Sequence, residues 1–446
     1  MSTNVSGDLI KDIAKKLYPF NYSVVGEDSK AALDIFLQFA DFTLHEFDSG
    51  SELRGWVIPP GWKPLTATVS YKGSLIYDCL KSSPLGCAYL SPSFQGTVSK
   101  ADLLSHCAWR DDLPGATVYD WTRLYRIGEQ AKWGLSIPSE ILKKFPDEDL
   151  DVYIETLRYT SQMTVLDYKI QGQINEEIII NAHNCHPFQA NDDISGCAVA
   201  LALFIYRLSK SNNYYTYRLL IAPELFGPMF WLEKLSLSNT TIKSSILLKS
   251  VGNDSQIKIQ NSFTGDADID RVAKSAVLSS CYADVCQSFP YRSYYGNDES
   301  VFEAPGIEIP TVTLTRYPFS EYHTDFDTPD RLSAKNLMET YEILERMITI
   351  IESNKCASYV QPGLFCLSNP KYNLYRKAPE PGISHEGNSR NEKTWNLLMN
   401  CLSRELDSGM SVLDISLKYE IDYELLLDYI LEWQAKGLVK LVPSFS

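Results

Sequence analysis

The sequence predicts an α/β fold. A mostly parallel, mixed sheet is sandwiched by helices, interrupted by an inserted strand-rich module and followed by a small C-terminal winged-helix domain. Three observations carry this. Between residues 161 and 355, apolar strands alternate with helical patterns, the rhythm of crossover units. Between 51 and 160, short strands are separated by Pro and Gly, and five of the eight tryptophans fall there. From 391 onward, three helical patterns run into a short strand.

The 446 residues exceed what one core supports, so two or three domains are expected. The formal charge of −15 argues against nucleic acid or an anionic membrane as partner, since both are met by Lys and Arg patches. The start, MSTNVSGDLIKDIAKKLYPF, holds no apolar core of signal-peptide type, and the longest apolar run, Cys197 to Tyr206, is far short of a membrane span. The ten cysteines show no metal-ligand spacing, the close pair Cys281 and Cys286 included. They are expected as reduced thiols in a cytoplasmic protein.

Taken in order, SKAALDIFLQFADFTLHEF places Ala32, Ile35, Phe36, Phe39 and Phe42 at three-and-four spacing behind Ser29. That predicts one helix, with His45 a surface residue near its end. WVIPPGW, ATVSYKGSLIYD, CAYLSPS and DVYIETLRYT predict the strands of the 51–160 module; His106, in the helical LLSHCAW, reads as a core or surface residue. EEIIINAHN, YTYRLLIAPEL, SSILLKSVGN and IPTVTLTRYP predict buried strands. SGCAVALALFIYRLSK, ADIDRVAKSAVLSS and SAKNLMETYEILERMITIIES predict the intervening helices. Residues 1–50 and 161–355 thus form the main domain. Residues 356–390, rich in Pro, Gly, Ser and Asn, read as a linker in which His385 has no chemical role. In 391–446, TWNLLMNCLSREL, SVLDISLKY, YELLLDYILEWQAKG and LVKLV read as a winged-helix-like unit. Its five Lys/Arg against nine Asp/Glu favour packing or protein contact over DNA.

Ligands of such sheets bind beyond the carboxyl ends of strands. His183 ends one predicted strand, Glu224 another, and His323 follows a third. Metal-assisted hydrolysis needs a few rigid ligands, an open position for water and a base. The available set is His183, His186, Asp192, Asp193, Glu224, Asp298, Glu299 and His323, and its chemistry suits Zn²⁺. Asp192 has two oxygens with which to bridge ions. Glu224 follows an apolar strand, where a carboxylate needs a partner or a metal. Tyr322 is a candidate donor to a developing oxyanion. Blander readings stand beside these: Asp192-Asp193 as a helix cap, Asp327-Thr328 as an N-terminal turn, and Arg292 and Arg316 as surface charges or substrate contacts.

ANDDISGCAVALAL resembles the A-[ND]-D-N-x-S-G-x-A segment of the di-zinc aminopeptidase superfamily. That superfamily includes leucine-type aminopeptidases, glutaminyl cyclases and the transferrin receptor ectodomain. NAH is similar to its G-A-H, APEL to A-E-E-L, YGNDESVFEAPGIEIPTV to G-x-S-D-H-x-x-F-x-x-x-G-I-P, and EYHTDFDTPD to Y-H-x-x-x-D-T. The resemblance covers about residues 1–50 and 161–355. It implies zinc ligands at His183, Asp192, Glu224 and His323, with Asp192 bridging and Tyr322 stabilising the oxyanion. The A-H-x-C-H-P, Y-R-x-L-x-A-P-E, V-G-x-D and G-D-A-D-I-D-R pieces look closer to a bacterial aminopeptidase-like subgroup. Its members are often associated with polysaccharide or secondary-metabolite gene clusters.

Departures from the pattern are informative. Pro223 stands where the general-base glutamate would be, and Cys185 where an aspartate follows the first histidine. The KSVGN stretch lacks the next ligand aspartate, with Asp254 displaced, and Glu299 replaces the histidine of S-D-H. Asp192, Glu224 and His323 alone imply one ion; His183 or His186 would restore a second. Glu299 is a candidate displaced base, and so is Glu224 if it is not a ligand. The expected function is zinc-dependent, aminopeptidase-like hydrolysis of an amide bond in a small peptide-like or amino-acyl substrate. The alternatives are a non-catalytic binding or scaffold protein, suggested by Pro223, and acyl transfer or cyclisation at the same metal. Homo-oligomerisation is left open.

Overall fold

Ile178, Ile179 and Ile180 run without polar alternation, and the structure buries them on both sides of a sheet. The computed structural model describes residues 5–127, 132–235, 241–278, 286–294, 296–376 and 390–445. Two units emerge: Met1–Gln260 with Arg292–Tyr341, and Asn261–Tyr291 with Glu342–Ser446. His385 and Cys281 lie outside the described residues, as do residues 377–389 of the predicted linker.

In the first unit the sheet order is Thr43–Asp48, Gln162–Ile170, Thr216–Ala222, Glu176–His183, Thr241–Lys249, Thr311–Arg316, Ile257–Gln260. The four strands from Thr216–Ala222 to Thr311–Arg316 are parallel, and the flanking ones antiparallel. This is the mixed α/β sheet that the sequence predicts. Helix Ser195–Tyr206 follows the histidine strand and is buried from Ser195 to Phe204. Helix Gly7–Leu17, capped by Ser6, packs against it.

One predicted element is corrected. The helix behind Ser29 ends at Phe36, and Thr43–Asp48 is an edge strand paired with Gln162–Ile170. Within it His45 and Phe47 are partly buried while their neighbours are exposed, a period of two that the helical template hid. His45 is therefore not a surface residue. Its Nε2 lies 3.1 Å from the Asp167 carboxylate.

Asp167 belongs to a buried polar network. Arg218 binds Asp167 through Nη1 and Glu177 through Nε and Nη2, at 2.6–2.9 Å, and the Trp231 indole donates to Asp167 at 3.0 Å. Two carboxylates converge on one guanidinium, so none of the three groups is buried without a countercharge. Burial alone would raise the Asp167 pKa, but the bonds from His45, Arg218 and Trp231 hold it below the usual value.

Residues of the strand-rich stretch form an antiparallel sheet in the order Ser74–Asp78, Gly61–Tyr71, Leu150–Tyr159, Phe94–Val98. Its core residues Val69, Val152 and Ile154 share one cluster with Val24, Met163 and Phe226. His106 stacks on Trp133, with ring centroids 4.0 Å apart.

The second unit holds helices Asp268–Leu278, Arg390–Glu405, Val412–Tyr419 and Tyr423–Ala435. Strand Val439–Pro443 pairs antiparallel with Lys355–Tyr359, at the start of the stretch read as a linker. A capping box of Ser411 and Asp414 starts the helix Val412–Tyr419. Among the described residues, no helix is long and apolar enough to cross a membrane.

Candidate metal centre

The carboxyl ends of the parallel strands converge where the sequence places its candidates. His183 ends its strand, and the chain then turns through Cys185 and His186 into Asn191–Asp193 before the helix begins at Ser195. Asp192 and Asp193 have non-helical backbone, with a cis peptide between them. Their side chains do different things. The Asp193 carboxylate folds back to accept from the N–H groups of Gly196 (3.2 Å) and Ser250 (2.9 Å). A Cβ on residue 196 would sit 2.6 Å from that carboxylate, so the position requires glycine. Asp193 is thus the structural aspartate of the pair. Its pKa is pushed well up by burial.

Asp192 faces the other way, fully buried, among three imidazoles and a lysine. Its Oδ1 accepts from the Lys249 ammonium at 2.5 Å. Its Oδ2 lies 3.2 Å from His323 Nε2, and neither atom has any other polar partner. His186 Nδ1 is 3.9 Å from Asp192 Oδ1, and His186 Nε2 is 3.7 Å from Glu224 Oε2. Burial would raise the Asp192 pKa, but Lys249 and His186 outweigh it and hold the group well below the usual carboxylate range. Burial, with Lys249, keeps His183 well below its ordinary value; burial does the same to His186. All are therefore neutral imidazoles beside an anionic aspartate.

The backbone that presents Asp192 is fixed from the EYHTDFDTPD stretch. Asp327 accepts from the N–H groups of Asn191 (2.7 Å) and Asp192 (3.0 Å). The His323 loop is in turn held by the strand-rich stretch. The Tyr119 N–H donates to His323 O at 2.8 Å, and Asp325 pairs with the Thr117 backbone. The Trp121 indole donates to His323 Nδ1 at 3.0 Å. An indole N–H can only donate, so Nδ1 accepts and the ring proton of neutral His323 sits on Nε2. Burial lowers the His323 pKa, consistent with a neutral ring.

Ligand atoms of His186, Asp192 and His323 lie within 4.8 Å of one another, as do those of His183, Cys185, His186 and Glu224. Asp192 Oδ2 and His323 Nε2, both buried and with no polar partner but each other, fit a cation placed among the first three. His186, Glu224, Tyr322 and His323 line a cavity of about 290 Å³, walled by the aromatic residues Trp56, Tyr119, Trp121 and Tyr125. Tyr322 stacks on His323, with ring centroids 3.8 Å apart.

The remaining candidates fall elsewhere. The Glu299 carboxylate accepts twice from the Asn297 N–H, both at 2.9 Å, and lies 3.6 Å from Arg292. It is in neither ligand cluster. Asp298 bridges the Asn181 amide and the Leu225 N–H, at 2.6 Å each, and so fixes the Glu224 turn against the histidine strand. Arg316 is buried and spent on the carbonyls of Val251, Ser255 and Asn336. Glu224, partly exposed on the cavity wall, has its pKa pushed up to about 7 by burial and the nearby Asp192.

Sequence reasoning missed Lys249 and Trp121. Lys249 ends a buried strand, Ile246-Leu247-Leu248-Lys249, where an ammonium needs an acid just as Glu224 needs a partner. No local signal marks Trp121, because its partner is distant in the chain.

A family model described as a domain of unknown function, DUF4910, matches residues 11–354. The chain belongs to that family. A Clostridium acetobutylicum protein described as a polysaccharide biosynthesis protein with an aminopeptidase-like domain is 29% identical over 371 residues, 81% of this chain and 82% of that one. The crystal structure of a Clostridium acetobutylicum protein described as a peptidase superposes with a TM-score of 0.79 at 24% identity, covering 98% of this chain and 96% of that one. A zinc aminopeptidase from Bacillus subtilis gives 0.55 at 14% identity, covering 78% and 96%. The DUF4910 chain has the fold of the di-zinc aminopeptidase superfamily, as the motifs imply.

Proposed function

We propose that the protein is a zinc-dependent hydrolase of an amide bond in a small peptide-like or amino-acyl substrate. The observation that carries this is the convergence of His186, Asp192 and His323, whose two histidines line a cavity of about 290 Å³ with Asp192 buried behind them. These three residues would hold the zinc, which when bound polarises a carbonyl and acidifies water. Glu224, whose carboxyl is held up to about 7, is the base: it takes the proton from water and returns it to the leaving amine. Tyr322 donates to the developing oxyanion. The aromatic walls exclude water and receive an apolar group of the substrate.

Glu224 serves better as base than Glu299, whose oxygens are taken up by the Asn297 N–H. The acidic chain and the confined cavity support a small substrate over nucleic acid or membrane, and a cytoplasmic setting goes with the reduced cysteines. The test is a panel of amino-acyl anilides and dipeptides, followed by mass spectrometry. Turnover that a chelator abolishes and Zn²⁺ restores supports the reading; a purified protein that takes up no zinc refutes it. A cyclised or transferred product would assign the same site to acyl transfer instead.

A further inference from the structure

Among the described residues, Lys249 is the one cationic side chain that reaches Asp192 and His183. Its side chain is 1% exposed. Its Nζ lies 2.5 Å from Asp192 Oδ1 and 2.9 Å from His183 Nε2. These two atoms also face each other at 3.4 Å. An ammonium has no acceptor capacity, so His183 Nε2 must spend its lone pair on Lys249. The arrangement is that of a cation clamped between an imidazole and one oxygen of a carboxylate. The other oxygen of the same carboxylate, Oδ2, is buried and has no polar neighbour but His323 Nε2.

We propose that the Lys249 ammonium stands in for a metal ion, so that the centre takes one ion, on His186, Asp192 and His323, and His183 is not a ligand. The inference rests on the zinc reading above. Asp192 still bridges two positive charges, but one of them is part of the chain. The strand end brings Lys249 to the position permanently, and His183 has a structural use that needs no metal. An ion beside His183 would meet both a filled lone pair and a like charge a few ångströms away.

The test is metal content. The full chain is saturated with Zn²⁺, freed of excess and measured by mass spectrometry of the metal, with anomalous scattering at the zinc edge to place it. One ion per chain, with a peak at His186, Asp192 and His323, is expected. The variant Lys249→Asp supplies a carboxylate where the ammonium stood, and should bind two. Two ions in the unaltered protein, or a peak at His183, overturn the inference while leaving the zinc reading standing. No ion in the unaltered protein overturns the zinc reading itself. One ion in both the unaltered protein and a folded Lys249→Asp variant overturns the role given to Lys249. Should that variant not fold, the position of the peak in the unaltered protein decides alone.

Discussion

Trp121 makes a prediction opposite to the usual effect of a residue behind a metal ligand. A hydrogen bond behind a ligating imidazole ordinarily accepts its free N–H and strengthens the site, and losing it weakens binding about 10–100-fold. Here the indole donates to His323 Nδ1, which puts the ring proton on Nε2, the atom that faces Asp192. For Nε2 to ligate, that proton must leave the ring or move to Nδ1, where it opposes the indole N–H at 3.0 Å. Zinc uptake thus breaks the Trp121 bond or carries the burden of a deprotonated ring. Trp121→Phe keeps an aromatic ring against Tyr125 and His323 and deletes only the donor. Removing a bond of about 1 kcal/mol that only the ion-free state makes should tighten zinc binding about fivefold. Trp121 is 36% exposed, so an N–H released in the unaltered protein finds water, which limits the gain to that order. Competition with a chromophoric chelator at neutral pH measures it. Weaker binding by Trp121→Phe refutes the tautomer argument and places Trp121 in the ordinary supporting role.

Glu224→Gln should lose about 10²–10⁴-fold in turnover while retaining zinc; loss of the metal would make Glu224 a ligand and refute its role as base. The Glu224 carboxyl is raised to about 7 before any ion is bound, and a zinc ion beside it favours the anion, so kcat/KM should fall as pH drops through a value at or somewhat below about 7. An acid limb near the ordinary glutamate value of about 4.3 contradicts the assignment. Arg218→Met strands Asp167 and Glu177, both buried, and should destabilise the first unit by about 3–5 kcal/mol, lowering its melting temperature on the order of 10 °C by calorimetry. The Asp167 pKa is depressed when folded, so its share of this stability is present above the unfolded value of about 3.9 and lost as pH falls below it. The difference between the two proteins should therefore shrink in acid; a difference independent of pH would contradict the linkage.

What was legible in the sequence followed from local chemistry. Ile178–Ile180 declared a buried strand, and Asp192 and His323 sat in motifs whose order along the chain survives in the sheet. The illegible part was pairing at a distance. Thr43–Asp48 reads as the tail of a helix until Gln162–Ile170 satisfies its backbone. Asp327 looks like a helix-start residue, yet it accepts from the N–H groups of Asn191 and Asp192 far upstream. The rule applied to Glu224, that a charge at the end of an apolar strand needs a partner, also applied to Lys249. Which acid it would meet depends on the register of two parallel strands, and the sequence does not state that.

The departures from the superfamily pattern become coherent when taken together. Pro223 removes one base, KSVGN removes one ligand carboxylate, and His186 adds an imidazole. Each change alone would damage a two-ion site. With Lys249 neutralising Asp192 Oδ1, the proposed one-ion centre would need neither the second ion nor its missing carboxylate. In the proposed centre His186 would complete the ligands of the remaining position, which would release Glu224 from ligation. It then stands 3.7 Å from His186 on the cavity wall, with a carboxyl near neutrality, in the role that Pro223 cannot fill. The strand-rich stretch belongs to the same adjustment. Through the bond from the Tyr119 N–H to His323 O and the pairing of Thr117 with Asp325 it fixes the loop that carries His323, the proposed ligand that no strand end supplies. The proposed one-ion centre would have fewer bonds with which to orient that loop, and these backbone bonds supply that orientation.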